Sequence, residues 1–345
     1  MTRFFNVKLL VLLIVITSLF FGFTSLINDS KKYKFKTNRP KEYKKKYNNS
    51  PKDSFKYTKR KQTENQKAPD EKRRQNIFAT KLSSTKVYQG NTLSVVVNTQ
   101  TKKGFNPRVQ IFNTSSTLIR VGSKKWAGFF GIDAQKRAGN YSLHVHLSDK
   151  EKVKTFEVLQ KDFSIEELAV TRELQKKGYS EESLTKHIIQ KENKIMDKVL
   201  STYTPHYYFE ESFVRPLNKM KVVSKFGTVR KSKNSALQHL GVDLRAKKGT
   251  PVRSINGGVV RFAKKLNLYG KTIMIDHGYG LFSLYLHLQS IDVSKGQKVE
   301  KGELIGKTGG SGYSFGPHLH FSIKQNKRDI DPLQFIEKAN KLLKS

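Results

Sequence analysis

Short runs of alternating polar and apolar residues, each closed by a glycine turn, fill the chain from about residue 213 to 331. Among them are "GVVRFAKK", "KTIMIDHG", "LFSLYLHL" and "HLHFSI", and almost no helical pattern interrupts them before residue 332. Strands with a period of two that are separated by glycine turns are typical of antiparallel sheets. The pattern therefore predicts a C-terminal, all-β antiparallel domain at 205–345.

The middle of the chain predicts a second β structure and then helices. Runs such as "TLSVVVNT", "RVQIFN" and "YSLHVHLS" indicate a small β-sandwich at 77–160, which could serve as a binding module or as a spacer. A helical linker follows at 161–204. Ser164 and Glu167 have the spacing of a capping box, and Ser180 begins a second helical pattern. The fold class is thus mainly β, with a short helical segment.

The N-terminus is apolar and then strongly basic. Residues 9–27 are uncharged and apolar, close to the roughly 20 residues needed to cross a bilayer, so 1–28 is predicted to be a membrane anchor or an export signal. Residues 29–76 have the composition of a basic disordered tether. Their charge would favour retention of the C-terminal part in the cytoplasm, so either cleavage or overriding export must act if the protein works outside.

The charge and the absence of cysteine limit the kinds of partner and site. Lys and Arg total 66 against 28 Asp and Glu, a net charge of +38, which favours anionic polymers as partners. The charge is spread along the chain without a basic aromatic motif, so no specific nucleic-acid partner is predicted. With no cysteine, disulfides and thiolate metal sites are excluded, and any zinc ligands must be histidine or carboxylate.

Three segments of the C-terminal domain offer such ligands. His318 and His320 lie two residues apart and share one face of a strand. His239 and Asp243 are four apart, and His287 lies on the polar side of "LFSLYLHL". Because three separate segments each direct donors away from an apolar face, a metal site is favoured over three unrelated exposed faces.

The other histidines are predicted to be structural or exposed. His144 and His146 repeat the H-x-H pattern, but the sequence shows no carboxylate with the right spacing beside them, so they indicate an exposed strand face. His277 ends a strand before a glycine turn and is expected to make structural hydrogen bonds. His187 and His206 stand alone and are expected to be exposed or to pack.

These motifs, in this order, resemble the M23 family of lysostaphin-type zinc endopeptidases. The likeness covers about 205–336. It rests on "H-x-x-x-D" at 239–243, "Y-L-H-L" at 285–288 and "G-P-H-L-H-F" at 316–321, supported by "S-K-F-G" at 224–227 with Arg230.

The resemblance implies one zinc ion per chain, bound by His239, Asp243 and His320. His287 and His318 would be the catalytic pair, with His287 favoured as the base and the division of roles left open. Two positions depart from the usual pattern of the family: Phe315 precedes the G-P-H-L-H motif, and Ser322 stands where glutamate is common. These residues are expected to alter the substrate groove and the support of the ligands.

The function that follows is hydrolysis of peptide bonds in the stem peptides or cross-links of peptidoglycan. The expected location is the cell envelope, on the periplasmic or extracytoplasmic side, with residues 9–27 anchoring the chain in the cytoplasmic membrane. Anionic envelope polymers are further candidate partners. The alternative is a non-enzymatic wall-binding adaptor that activates a separate hydrolase.

Overall fold

The computed structural model describes residues 78–344 except 100–105, 169, 188–190, 210 and 233–235. The apolar run at 9–27 and the tether at 29–76 lie outside the described residues. Among the described residues, no helix is both long and apolar enough to cross a membrane.

Two sheets form the first β part, which confirms the predicted sandwich. The strands are β1 (Phe78–Leu82), β2 (Lys86–Tyr88), β3 (Thr92–Thr99), β4 (Arg108–Ile111), β5 (Thr114–Thr117), β6 (Ile119–Arg120), β7 (Lys125–Gly131), β8 (Gly139–Leu147) and β9 (Lys150–Leu159). One sheet has the order β1-β3-β7-β6 and the other β2-β9-β8-β4-β5. The sequence alternation is visible in the burial: on β8, Leu143, Val145 and Leu147 are buried and the residues between them are partly exposed.

Within the described residues, a short strand and three helices connect the two β parts. They are β10 (Ile165–Glu167), α1 (Arg172–Lys176), α2 (Glu181–His187) and α3 (Asn193–Leu200). The capping-box prediction at Ser164 was wrong, because β10 pairs in parallel with a strand at 229–231 and the Ser164 hydroxyl hydrogen-bonds Thr228 Oγ1 at 2.9 Å. The start of α2 was predicted correctly, and Ser180 Oγ accepts from Ser183 N.

The C-terminal part is built around one large, mostly antiparallel sheet, as predicted. Its elements are β11 (Val222–Ser224), β12 (Val229–Lys231), β13 (Ala236–Gln238), β14 (Val242–Arg245), β15 (Pro251–Arg253), β16 (Gly258–Lys265), β17 (Lys271–Asp276), β18 (Leu281–Ile291), β19 (Lys298–Val299), β20 (Leu304–Thr308), β21 (His318–Gln325), β22 (Arg328–Ile330) and α4 (Pro332–Leu343). The main order is β11-β14-β21-β18-β17-β16-β19. Asp331 caps α4 by accepting from Leu333 N and Gln334 N, and Pro332 occupies its first turn.

The two β parts share one hydrophobic cluster. Phe129 of β7 packs edge-on against Phe335 of α4, with the ring centroids 5.0 Å apart. The side chain of Gln325 on β21 donates to Phe129 O and accepts from Gly131 N. Thr92 N of β3 donates to the side chain of Gln334, across 242 residues of sequence. These contacts place the described residues in one compact unit, while the domain boundaries expected from the sequence remain a prediction.

Candidate metal centre

Neighbouring strands bring the predicted ligands together. β14 and β21 are antiparallel neighbours, and Asp243 lies directly opposite His320 in their register. β18 pairs with the other edge of β21, with Leu286 opposite His320, so the next residue, His287, approaches from that side. His239 lies between β13 and β14, where its main chain exchanges hydrogen bonds with Thr228 O and Gly227 N.

Three donor atoms converge on one point. His239 Nε2, Asp243 Oδ1 and His320 Nδ1 form a triangle in which each pair of atoms is 2.9 Å apart. The three side chains are largely buried, with 5%, 10% and 13% of their surface exposed. Of the described residues, these form the one group of three or more histidine and acidic side chains with metal-binding spacing.

The second nitrogen of each histidine is held by a partner that fixes the ring. His239 Nδ1 lies 2.9 Å from Lys225 O, and because a carbonyl can only accept, Nδ1 carries the proton and Nε2 presents a lone pair. His320 Nε2 lies 2.8 Å from Ser322 Oγ, which can accept from it and leave Nδ1 unprotonated. Both rings therefore direct lone pairs toward the Asp243 carboxylate.

His287 and His318 flank this triangle in the same manner. His287 Nδ1 donates to Ser311 O at 2.8 Å, and His318 Nδ1 donates to Gly316 O at 2.9 Å. Each ring thus presents an unprotonated Nε2 toward the site. The two ring centroids are 5.0 Å apart, and His318 Nε2 lies 3.7 Å from Asp243 Oδ1. The structure thereby brings together all five side chains singled out from the sequence.

A β-bulge directs His287 into the site. Lys271 of β17 lies opposite Leu288, and Ile273 lies opposite Tyr285, so Leu286 and His287 together face a single residue of β17. His287 has a φ of +59°, a left-handed conformation that is uncommon outside glycine. Regular alternation would have placed His287 on the same side as Tyr285, which is fully buried in the main core, so the bulge is what turns the imidazole toward the ligands.

Burial sets the ionisation of these groups. Desolvation lowers the pKa of His320 to about 4 and that of His287 to about 3, so both rings are neutral near pH 7. Burial alone would raise the pKa of Asp243, but the adjoining His239 and His320 rings outweigh it and hold that pKa well below its usual value. The site therefore places the neutral rings of His320 and His287 beside an ionised carboxylate.

This donor set fits a small divalent cation. Three acceptor atoms with no proton between them repel one another, and a cation at their centre would remove that repulsion. Two imidazole nitrogens and one carboxylate are a ligand set used by catalytic zinc, which keeps a further position open. The other half of the carboxylate is also satisfied, because Arg230 donates to Asp243 Oδ2 at 3.2 Å.

Sequence reasoning had named Arg230 without a role and Ser224 only as part of a motif. Arg230 also donates to Ser224 Oγ at 3.0 Å, and that hydroxyl lies 3.3 Å from His239 Nδ1. Arg230 thus binds the Asp243 carboxylate directly and contacts His239 through the Ser224 hydroxyl. Neither role could be predicted, because both depend on β12 and β11 approaching β14 in space.

Ser322, at the position where the family often has glutamate, hydrogen-bonds the ring of His320. A Cβ added to Gly241 would lie 2.3 Å from Ser322 Oγ and 2.5 Å from His320 Nε2, closer than atoms tolerate. Glycine is therefore required at 241 by the close approach of β14 to this pair. Gly241 thus leaves the space that the His320 ring occupies, and Ser322 makes the hydrogen bond that orients the ring.

An apolar groove contains the five side chains. Its walls include Leu240, Leu268, Tyr313 and Phe315, together with Leu168 from the connecting segment. Phe315 is 56% exposed and packs edge-on against Tyr313, with the ring centroids 5.5 Å apart. The departure at Phe315 thus places an exposed aromatic ring at the rim of the groove.

The second H-x-H pair, on β8, lies outside the groove. His144 and His146 are partly exposed, as predicted, and their rings stack with centroids 6.4 Å apart. Antiparallel pairing places Glu151 of β9 opposite His146 and its Oε1 2.6 Å from His144 Nδ1, a neighbour that the sequence pattern did not indicate. The pair binds a carboxylate across the strands and has no contact with the groove.

His277 is a buried structural residue. It is fully buried, with Nδ1 bonded to Gly257 O at 2.6 Å and Nε2 to Ser283 Oγ at 2.8 Å. Ser283 Oγ also lies 3.1 Å from the hydroxyl of Tyr285. This chain of hydrogen bonds is the structural role predicted for His277.

His277 should make stability depend on pH. Burial lowers the pKa of His277 to about 4, whereas an unfolded histidine titrates near 6.5. As the pH falls, the unfolded chain takes up the proton first, so the free energy of unfolding should decrease between about pH 6.5 and 4, by up to ~1.4 kcal/mol per pH unit from this side chain. Denaturant unfolding at pH 7, 6 and 5 with chelator present should show that slope, and His277→Gln should make it shallower. An unchanged slope in the variant would contradict the prediction.

The fold and the site define a class. A β-sheet domain with a buried two-histidine, one-aspartate centre, unprotonated histidines beside it and an open groove is the arrangement of a single-metal hydrolase.

A family model matches the part of the chain that holds the site. Residues 237–332 match the family model described as Peptidase family M23, so this part of the chain is an M23 peptidase domain, as the motifs indicated. All five side chains of the centre lie inside the matched range.

Named relatives agree with the assignment. The chain is 36% identical over 121 residues to the DD-carboxypeptidase/endopeptidase Mpg of Neisseria meningitidis serogroup B, covering 35% of this chain and 28% of that protein. It is 33% identical over 147 residues to the peptidoglycan DD-endopeptidase ShyC of Vibrio cholerae, covering 39% and 34%. The chain thus spans about a third or less of these two relatives.

A solved structure shares the fold over a wider range. A crystal structure of a protein from Pseudomonas aeruginosa assigned to peptidase M23 superposes with a TM-score of 0.52 at 24% identity. It covers 72% of this chain and 93% of that one, so the likeness extends beyond the peptidase domain itself.

Proposed function

We propose that the protein is a zinc-dependent endopeptidase that hydrolyses peptide bonds in the stem peptides or cross-links of peptidoglycan. The observation that carries this proposal is the convergence of four histidines and the Asp243 carboxylate in one groove, with three histidine nitrogens bound by main-chain carbonyls and His320 Nδ1 2.9 Å from the carboxylate. Support comes from relatives named as peptidoglycan DD-endopeptidases, which share the peptidase domain.

We assign His239, Asp243 and His320 as the ligands of one zinc ion per chain. When bound, zinc would act as a Lewis acid toward the scissile carbonyl and lower the pKa of a bound water toward ~7. The protein supplies the rest: the carbonyl of Lys225 and the hydroxyl of Ser322 orient the two rings, and Arg230 orients the carboxylate.

His287 is suited to be the general base. Its Nδ1 proton is committed to Ser311 O, so Nε2 is the atom that can take a proton from the attacking water. Burial lowers the pKa of His287 to about 3, so the ring is neutral near pH 7 and Nε2 is available to take the proton. Its acceptor is the leaving amine nitrogen, which is protonated as the C–N bond breaks.

His318 is suited to stabilise negative charge on the carbonyl oxygen. Its Nδ1 donates to Gly316 O, so Nε2 can donate only when the ring is positively charged. The Asp243 carboxylate lies 3.7 Å from His318 Nε2, and this contact distinguishes His318 from the more deeply buried His287.

The cellular setting completes the proposal. Residues 9–27 would anchor the chain in the cytoplasmic membrane and the basic segment 29–76 would act as a tether, with the peptidase domain on the periplasmic or extracytoplasmic side. The net charge of +38 is compatible with contacts to anionic envelope polymers.

The test is digestion of native peptidoglycan. Full-length protein in detergent, loaded with zinc, is incubated with sacculi from the bacterium that makes it, and the fragments are analysed by mass spectrometry. We expect new amino termini at one type of peptide bond, loss of cleavage with chelator and recovery when zinc is restored. If zinc-loaded protein binds the sacculi without releasing any amine, the adaptor alternative is supported instead.

A further inference from the structure

A buried glutamate before α3 is bound by three consecutive main-chain N–H groups. Glu192 is 4% exposed, and its carboxylate accepts from Asn267 N at 2.5 Å, Leu268 N at 3.0 and 3.1 Å, and Tyr269 N at 3.2 Å. The next residue, Asn193, accepts from the Tyr269 hydroxyl at 2.9 Å. Burying a carboxylate is costly unless it is fully hydrogen-bonded, so the loop and the glutamate stabilise each other.

The loop held by Glu192 forms part of the candidate active site. Leu268 and Tyr269 line the groove that contains the five site residues. Tyr269 O accepts a hydrogen bond from His287 N at 3.0 Å, and Leu268 O accepts from Tyr313 N at 2.9 Å. The same three-residue loop therefore contacts both the proposed base and the aromatic rim.

His287 needs such support because its main chain is unfavourable. A φ of +59° in a non-glycine residue costs free energy and persists only where the surroundings enforce it. The hydrogen bond to Tyr269 O fixes the main-chain nitrogen of His287, and the bond from Nδ1 to Ser311 O fixes its ring. If the loop at 267–269 moves, one of these two restraints is lost.

We propose that Glu192 is a positioning residue for His287, acting through the main chain of residues 267–269. This proposal rests on the proposed function for its catalytic consequence, but the restraint itself does not require peptidase activity. Glu192 lies outside residues 237–332, the range that matches the family. The connecting segment thus supplies part of the machinery that aligns the catalytic pair.

The test compares Glu192→Gln with Glu173→Gln in the full-length protein. Glutamine retains one acceptor oxygen but places an NH2 group against main-chain donors, whereas Glu173 is exposed on α1 and serves as the matched control. Hydrogen exchange followed by NMR should be at least about tenfold faster at the amides of Leu268, Tyr269 and His287 in Glu192→Gln, with the strands of the main core unchanged. Bound zinc should stay at one per chain.

Kinetics provide the second readout. On a soluble cross-linked muropeptide, kcat should fall roughly 10- to 100-fold with little change in KM, and Glu192→Asp should recover part of the loss. Exchange and kcat equal to those of Glu173→Gln would overturn the proposal, as would loss of zinc from a folded Glu192→Gln protein. If Glu192→Gln does not fold, Asn193→Ala, which removes only the bond to Tyr269, should show a smaller change in exchange at the same amides, and no change there would also overturn it. If the wild type is inactive but exchange is still faster in Glu192→Gln, the restraint by Glu192 is supported and the peptidase function is refuted.

Discussion

The His320→Ala variant is expected to lose both zinc and peptidase activity. His320 Nδ1 is 2.9 Å from both His239 Nε2 and Asp243 Oδ1, so its removal leaves two donors where a catalytic zinc centre needs three. Zinc measured after dialysis should fall from about one per chain to near zero. Cleavage of sacculi should decrease by roughly 1000-fold or more, because the metal supplies several kcal/mol of transition-state stabilisation.

The matched control is His146→Ala. It removes the second histidine of the other H-x-H sequence, on β8 and away from the groove. Zinc content and cleavage should match the wild type in that variant. A His320→Ala protein that keeps its zinc, or a His146→Ala protein that loses it, would refute the assignment of the centre.

His287→Ala is expected to separate metal binding from catalysis. His287 is no member of the ligand triangle, so zinc should remain at about one per chain. Loss of the proposed base should lower kcat by roughly 100- to 10,000-fold, the usual contribution of general acid–base catalysis. Zinc content and kcat should therefore be measured in parallel on His320→Ala and His287→Ala. Both variants should lose activity, but only His320→Ala should lose its zinc.

His144→Ala provides the control for a general effect of removing a histidine, and its kcat should equal that of the wild type. An active His287→Ala protein would transfer the role of base to His318.

Much of the site could be predicted from the sequence because antiparallel pairing preserves local patterns. The alternation around His318 and His320 placed both on one face, and the spacing of His239 and Asp243 placed both beside Gly241. In the sheet, β14 and β21 are neighbours, so two local patterns become one centre without any irregularity. Family resemblance then supplied the ligand roles that pattern alone left open.

His287 shows where the sequence was insufficient. The alternation in "LFSLYLHL" placed His287 with Ser283 and Tyr285, both of which are fully buried. A bulge between Tyr285 and Leu288 reverses that assignment locally. No residue in the segment signals the bulge, since its restraints come from Tyr269 and Ser311, which lie elsewhere in the chain.

The connecting segment was predicted least well for a similar reason. Ser164 and Glu167 have the spacing of a helix cap, but Leu168 N donates to Lys231 O and Val229 N donates to Ser164 O. Tertiary pairing with β12 thus overrode the local preference. Glu192 was overlooked as well, because a carboxylate that binds main-chain N–H groups 75 residues away leaves no pattern in the sequence.

The packing of α4 against β3 and β7 has a consequence for the timing of folding. The last helix completes the hydrophobic cluster around Phe129, and Gln334 satisfies an amide of β3 that was synthesised 242 residues earlier. A chain emerging from the ribosome or crossing a membrane cannot make these contacts until α4 is free. The shared cluster around Phe129 should therefore be completed only after the whole C-terminal sheet has emerged, because α4 follows that sheet in the chain.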